Sequence, residues 1–159
     1  MAHEYKATVS WDRGGAAFTD GKFSRAHQWA FDGGITVPAS SSPLSVRLPF
    51  SRADAVDPEE ALVAALSSCH MLTFLYLAHK QGFVVDSYAD EAVGVMTKNA
   101  RGKLFVSRVA LRPRIAFSGA KRPSEAELAE LHHHSHEECY IANSVLTEVV
   151  VEPAPASPA

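Results

Sequence analysis

Two cysteines, seventy positions apart, are the residues of this chain best suited to chemistry. Cys69 lies in a long apolar segment that starts at Asp57, and Cys139 lies near the end of a second predicted helix. The first segment opens with a pair of carboxylates, Glu59 and Glu60. A thiolate attacks a peroxide oxygen, and a second thiol resolves the resulting sulfenic acid as a disulfide. Two thiols together with glutamate and arginine are the parts of a thiol peroxidase.

The arginine in such a site stabilises the thiolate, because a guanidinium stays charged under all relevant conditions. Four arginines in the N-terminal part of the chain are candidates. Arg25 is predicted on a strand, Arg13 in a turn, and Arg47 and Arg52 near the connector before the first helix. A bidentate carboxylate would fix the plane of the guanidinium.

A metal site is the competing interpretation of the same region. His132 and His136 are spaced i, i+4, and Cys139 follows three residues later, so all three are predicted on one helix face. His70 is available as a further ligand from the other helix. A solvated polar face is the favoured explanation of the histidines, and a buried cysteine can be only a small hydrophobic residue.

Composition is ordinary for a soluble protein of one domain. Of 159 residues, 47 % are apolar and 21 % charged, and the formal net charge of −3 gives no reason to expect nucleic acid or an anionic membrane as a partner. The polar start of the chain predicts no signal peptide and therefore a cytoplasmic location, where paired cysteines are more often catalytic than structural. We expect a single domain over 1–152 and a disordered Pro/Ala tail over 153–159.

Alternation and turn residues organise the first part of the chain. They predict strands at 5–11, 23–31 and 44–48, with a loop at 36–43 rich in Pro and Ser.

The first long helix is predicted from Asp57 to Gln81. Asp57 is a plausible N-cap, Pro58 suits the first helical position, and Gly82 is a natural stop. Its apolar residues cover more than one stripe, so we expect burial on most sides, including against a second subunit.

The second half predicts two long strands, a helix and a final strand. The strand runs are 83–98 and 103–119, joined by a hairpin at 99–102, with Pro113 at an edge or bulge. A capping box at Ser124 opens a helix that ends near Cys139, and a strand follows at 147–152. The fold class is therefore α+β, with helices on one face of antiparallel sheet.

Helix geometry constrains the site. Glu59 and Cys69 are ten residues apart, which is about 15 Å along a straight helix. Either the helix is broken near its start, or the site combines groups from two subunits.

At Asp57-Pro-Glu-Glu followed by Ser67-Ser-Cys-His, the chain resembles the OsmC/Ohr family of osmotically inducible and organic hydroperoxide resistance proteins. Ser24-Arg-Ala-His, Phe31-Asp-Gly-Gly and Cys139 after the capping-box helix strengthen the resemblance, which covers roughly 5–152.

This resemblance implies an intertwined homodimer in which antiparallel sheets wrap long central helices. It implies thiol-dependent reduction of organic hydroperoxides, with hydrogen peroxide as a further substrate and no cofactor. Cys69 takes the place of the peroxidatic thiol, Cys139 of the resolving thiol, and Glu59 of the carboxylate that orients the arginine. Arg25 is the first choice for that arginine and Arg47 the second. The reductant is a dithiol, which in some relatives belongs to a lipoylated protein.

Two alternatives keep the same fold. One is a stress protein that binds apolar ligands without turnover, and the other is a metal-binding protein that uses His132, His136 and Cys139.

Overall fold

A computed structural model of the chain describes residues 2–152, so the predicted tail at 153–159 lies outside the described residues. Contacts divide the chain into two compact units, Met1–Ala61 and Leu62–Ala159. The elements in chain order are β1 (Ala7–Ser10), β2 (His27–Phe31), β3 (Thr36–Ala39), α1 (Pro58–Lys80), β4 (Val84–Asp90), β5 (Val93–Lys98), β6 (Leu104–Leu111), β7 (Pro113–Ser118), α2 (Glu125–Glu138), a 3-10 turn (Ala142–Ser144) and β8 (Glu148–Val151).

The first unit contains a three-stranded antiparallel sheet in the order β1-β2-β3. Two predictions were wrong here. The expected loop at 36–43 begins with β3, which tolerates Pro38 because it is an edge strand. The strand expected at 44–48 is a turn, because the Ser42 carbonyl accepts from the amides of Ser45 and Val46 and so replaces strand pairing.

The first helix agrees with its prediction at both ends. Asp57 is the N-cap, since its carboxylate accepts from the amide of Glu60 at 2.8 Å and its own amide donates to the Glu60 carboxylate at 3.3 Å. This reciprocal pair is a capping box, and it satisfies two amides that a helix start otherwise leaves unpaired. The helix ends at Lys80, and Gly82 has the positive φ of 78° typical of a helix stop.

The buried face of α1 is narrower than predicted. Within one chain only Leu66, His70, Phe74 and Ala78 are buried, a stripe with one residue per turn. Leu72 and Tyr76 are 60 % and 56 % exposed. The helix is also long and apolar enough to span a membrane by length and composition alone, although its buried stripe packs in the cores described below.

The second unit contains two small sheets. Strands β4 and β7 pair antiparallel, and β5-β6-β8 form a mixed sheet because β8 runs parallel to β6. Each predicted long run is thus two strands, and Pro113, which has no amide to donate, begins the second strand of its run. The hairpin at 99–102 is confirmed between β5 and β6, with Gly102 at a φ of 72°.

Two hydrophobic clusters in this unit position the cysteine-bearing helix. Leu66 packs with Val109 and Leu111 of β6. About two and three turns later, Phe74 and Ala78 pack with Phe83 and with Leu131 of α2. The second helix begins with the predicted capping box of Ser124 and Glu127, and Cys139 is its C-cap. The α+β class is confirmed.

Candidate active site

The two thiols lie on different elements of the second unit and differ in burial. Cys69 is half-buried on α1, and Cys139, the C-cap of α2, is 1 % exposed. Both are free cysteines. The Cys139 Sγ accepts a hydrogen bond from the amide of Ala142 at 3.4 Å, because the chain turns into the 3-10 helix directly after α2.

Cys69 lies near enough to Cys139 to influence the pKa of the Cys139 thiol. Burial raises the pKa of the Cys139 thiol to about 11, and hydrogen bonding to the Cys69 thiol contributes in the same direction. Both effects favour the protonated form of Cys139, which is therefore a thiol at neutral pH. The amides of Ala142 and Ile141 act in the opposite direction and stabilise negative charge on Cys139 Sγ as its proton leaves.

The capping box separates the roles of the two glutamates in the first unit. Glu60 is committed to the cap through Asp57. Glu59 is free of it, and its Oε2 is buried without a hydrogen-bond partner among the described residues. A buried carboxylate oxygen without a partner is costly, so Glu59 is suited to receive a cation.

Arg25 lies just before β2, so the prediction of a strand at this position was wrong. Its Nη1 donates to the carbonyls of Gly21 at 2.8 Å and Phe23 at 2.5 Å, and its guanidinium stacks 3.9 Å from the centroid of the Phe23 ring. These bonds hold the segment before β2 in an irregular conformation rather than a strand. Within the described residues, no ion pair joins Arg25 to Glu59.

The other candidate arginines are more exposed. The Arg47 guanidinium lies 6.0 Å from the centroid of Phe50 and its residue is exposed. Arg52 forms an exposed pair with Asp54 at 2.6 Å. Arg13 is exposed as well, whereas Arg25 is half-buried. Arg25 is therefore the best candidate of the four, because a guanidinium interacts more strongly where water is excluded.

The alternative metal site does not assemble among the described residues. Across 2–152, no group of three or more His, Cys, Asp or Glu side chains is arranged to hold a metal ion. His133 and His134 face outward and pair with Glu137 and Glu130 at 3.4 and 3.0 Å. His132 instead turns inward, where its Nδ1 lies 3.1 Å from Nε2 of His70. His70 and His132 were expected together only as alternative metal ligands, and the hydrogen bond between their rings was not predicted.

A cleft of about 660 Å³ lies beside the thiol-bearing face of α1. Residues three, four and seven positions after Cys69 line one wall, since they share its helix face. The opposite wall carries acidic and aromatic side chains from α2 and the residue after Cys139. The lining residues are Leu72, Thr73, Tyr76, Leu77, His134, Glu137, Glu138 and Tyr140.

Known proteins share this arrangement of elements. The family model described as OsmC-like protein matches residues 51–154. An OsmC-like protein of unknown function from Vibrio cholerae is 53 % identical, with 96 % of this chain and 100 % of that chain covered and a TM-score of 0.94. The chain belongs to the OsmC-like family.

More distant OsmC-like structures show the same fold. The organic hydroperoxide resistance protein OhrB of Bacillus subtilis is 16 % identical over 96 % of this chain and 98 % of its own, with a TM-score of 0.67. An organic hydroperoxide resistance protein OsmC from Legionella pneumophila is 16 % identical over 99 % of both chains, with a TM-score of 0.68. No curated protein matches this OsmC-like chain.

Proposed function

We propose that this OsmC-like protein is a thiol-dependent peroxidase that reduces organic hydroperoxides through Cys69 and Cys139. The observation that carries the proposal is the proximity of a half-buried Cys69 to a buried, protonated Cys139. The peroxidatic thiol must reach substrate, and the resolving thiol must wait until its partner is oxidised. The names of two structural relatives, both organic hydroperoxide resistance proteins, support the same substrate class.

The first step forms a sulfenic acid. Cys69 Sγ attacks a peroxide oxygen, the O–O bond breaks, and the alkoxide leaves and takes up a proton to become an alcohol. Cys69 is oxidised by two electrons and the hydroperoxide is reduced by the same two.

The second step closes the disulfide. Cys139 Sγ attacks Cys69 Sγ, the S–O bond of the sulfenic acid breaks, and the Cys139 proton leaves with the hydroxyl as water. The amide of Ala142 already donates to Cys139 Sγ and stabilises the charge that develops there during proton loss. A dithiol reductant, in our proposal a lipoylated protein, then returns two electrons and two protons. The cytoplasm is the compartment in which such dithiols are available.

Glu59 and an arginine complete the site in this proposal. Glu59 Oε2, buried without a partner, is the carboxylate that would hold the guanidinium. Arg25 is our first candidate and Arg47 the second. The unbroken helix from Pro58 to Lys80 excludes the first of the two explanations offered above for the spacing of Glu59 and Cys69. We therefore propose that Glu59 of one subunit serves Cys69 of the other in a homodimer, and that the exposed apolar residues of α1 lie in its interface.

Peroxide consumption by the purified protein tests this function. Cumene hydroperoxide and hydrogen peroxide are compared with dihydrolipoamide as reductant, and Cys69→Ser is the control. We expect turnover that requires Cys69 and is faster with the organic substrate. Absence of turnover with either peroxide, in a folded protein whose thiols are free, would instead favour ligand binding without catalysis.

A further inference from the structure

Two histidines face each other in the interior between α1 and α2. His70 and His132 are 1 % and 4 % exposed. Their Nε2 and Nδ1 atoms are 3.1 Å apart, and the rings are nearly parallel, with an interplanar angle of 12° and centroids 5.4 Å apart. Phe74 packs against His132 with a centroid distance of 4.7 Å. A single N–H···N hydrogen bond therefore joins the two helices in the core.

This pair is a costly way to fill the core. Each ring uses one nitrogen for the shared bond, while Nδ1 of His70 and Nε2 of His132 are buried without a partner among residues 2–152. Burying a polar atom without a hydrogen bond is unfavourable, because the atom loses its bonds to water and gains none. Apolar side chains of similar volume would avoid that cost, so stability alone does not explain the pair.

The surroundings keep both rings neutral. Burial lowers the pKa of His70 to about 4, and the nearby His132 and His136 add to the effect. Burial likewise lowers the pKa of His132 to about 4, against a smaller opposing effect of Asp90 on β4. A neutral pair keeps one ring as donor and the other as acceptor, so the bond persists across the neutral pH range.

The position of the pair relates it to the thiols. His70 is the next residue after Cys69 on α1, and His132 lies seven residues, or about two helical turns, before Cys139 on α2. A bond between His70 and His132 fixes both the rotation of each helix about its axis and the register between the helices. The same two variables decide whether the two sulfur atoms meet, because disulfide geometry tolerates little displacement.

We propose that His70 and His132 are positioning residues for closure of the Cys69–Cys139 disulfide. This inference rests on the proposed function for the identity of the oxidant, an organic hydroperoxide, which converts Cys69 to its sulfenic acid. Neither ring touches the reacting atoms in the proposal. The hydrogen bond between them holds α1 and α2 so that Cys139 Sγ reaches Cys69 Sγ and water leaves.

Matched variants distinguish the effect of losing the hydrogen bond from the effect of changing the side-chain volume. Gln places a polar atom where His has Nε2, and Asn places one where His has Nδ1, so His70→Gln and His132→Asn can retain the bond. His70→Leu and His132→Leu remove it. His133→Gln, on the exposed side of the same helix, is the control.

The first measurement uses no peroxide. Each variant is equilibrated with mixtures of reduced and oxidised dithiothreitol, and the fraction of Cys69–Cys139 disulfide is determined by intact mass. We expect the equilibrium constant for the disulfide to fall about tenfold in His132→Leu, the effect of one lost hydrogen bond, and to recover in His132→Asn. His133→Gln should match the unmodified protein. Equal constants in His132→Leu and His132→Asn would overturn the proposal, and the same comparison at His70 guards against a variant that does not fold.

The second measurement treats the reduced protein with an excess of cumene hydroperoxide and no reductant. Slower closure leaves the sulfenic acid exposed to a second peroxide, so His132→Leu should accumulate sulfinic Cys69 in place of disulfide. If the unmodified protein does not react with the hydroperoxide but the dithiothreitol equilibrium behaves as expected, the proposed function fails and the positioning role stands.

Discussion

Asp57 and Glu60 hydrogen-bond each other's backbone at the start of α1, which leaves Glu59 as the free carboxylate of that turn. Residue type and spacing did not distinguish the two adjacent glutamates, and only the family resemblance favoured Glu59. The capping box supports Glu59, because a side chain that satisfies a helix amide is not available to orient an arginine.

Substitutions of the two glutamates are therefore expected to affect different properties, the stability for Glu60 and the turnover for Glu59. Glu60→Ala should lower the free energy of unfolding by about 1 kcal/mol, because a helix cap is lost, and should retain peroxidase turnover. Glu59→Gln should retain stability and lose turnover by about tenfold or more, since the guanidinium loses its charged partner. Urea denaturation and steady-state peroxide consumption measure the two effects. Loss of turnover in Glu60→Ala with Glu59→Gln fully active would reverse the assignment.

The reactivity of the two thiols should differ strongly in the reduced protein. The pKa of Cys139 is raised to about 11 and its residue is 1 % exposed, whereas Cys69 is half-buried. At pH 8 only about a thousandth of such a thiol is thiolate, so iodoacetamide should label Cys69 first. Labelling of Cys139 should increase as the pH rises toward 11. Peptide mass spectrometry gives both rates, and equal labelling in urea is the control for accessibility.

Acid should destabilise the protein through the buried histidines. His70 and His132 each have a folded pKa of about 4 against an ordinary value of 6.5. Between these values the unfolded chain binds protons that the folded chain does not, so the free energy of unfolding falls as the pH decreases from 6.5 to 4 and levels off below. The loss is at most about 3 kcal/mol for each ring.

Urea titrations across that pH window test this expectation. The double variant His70→Gln, His132→Asn removes both titrating rings and should have a flatter pH dependence. His133→Gln, in which an exposed histidine is replaced, should keep the slope of the unmodified protein. A slope that is unchanged in the double variant would assign the acid sensitivity to other groups.

The two helices of this chain were predicted well from the sequence, because the residues that start and stop a helix lie next to its ends. Capping residues at Asp57 and Ser124 and the stop at Gly82 act within one turn, so the structure agrees with them. The strands were predicted less well, because a strand forms through pairing with segments that are distant in the sequence. The Thr36–Ala39 strand contains a proline that is harmless only because the strand is an edge, and the 44–48 segment is turned by Ser42.

The candidate site shows the same division. Cys69, Cys139 and Glu59 could be selected from residue type, spacing and family resemblance. The pairing of His70 with His132 could not, because it depends on the rotation of two helices that are about sixty residues apart in sequence. His133 and His134 are the same residue type as His132. They differ from it only because their side chains point outward from α2.

Gly94 is expected to resist substitution. A Cβ at this position of β5 would lie 2.6 Å from Cγ2 of Val63 on α1, closer than atoms can pack. Gly94→Ala should therefore push the strand from the helix and lower the free energy of unfolding by about 1–3 kcal/mol. Gly94→Ala combined with Val63→Ala should recover part of the loss, because the clashing methyl is removed. Additive losses in the double variant, measured by urea denaturation, would contradict the steric explanation.

Two inactive variants should restore each other if the site is shared between subunits. Glu59 and Cys69 lie ten residues apart on one unbroken helix, about 15 Å along its axis, so they cannot meet around one substrate within a chain. A subunit with Glu59→Gln keeps its thiol, and a subunit with Cys69→Ser keeps its carboxylate. Unfolded together and refolded, they should form mixed dimers with one complete site, in which Glu59 comes from the Cys69→Ser subunit. Random mixing makes about half of the dimers mixed, so turnover should recover to about a quarter of that of the unmodified protein. Each variant refolded alone is the control, and no gain on mixing would mean that Glu59 acts on Cys69 within its own subunit or not at all.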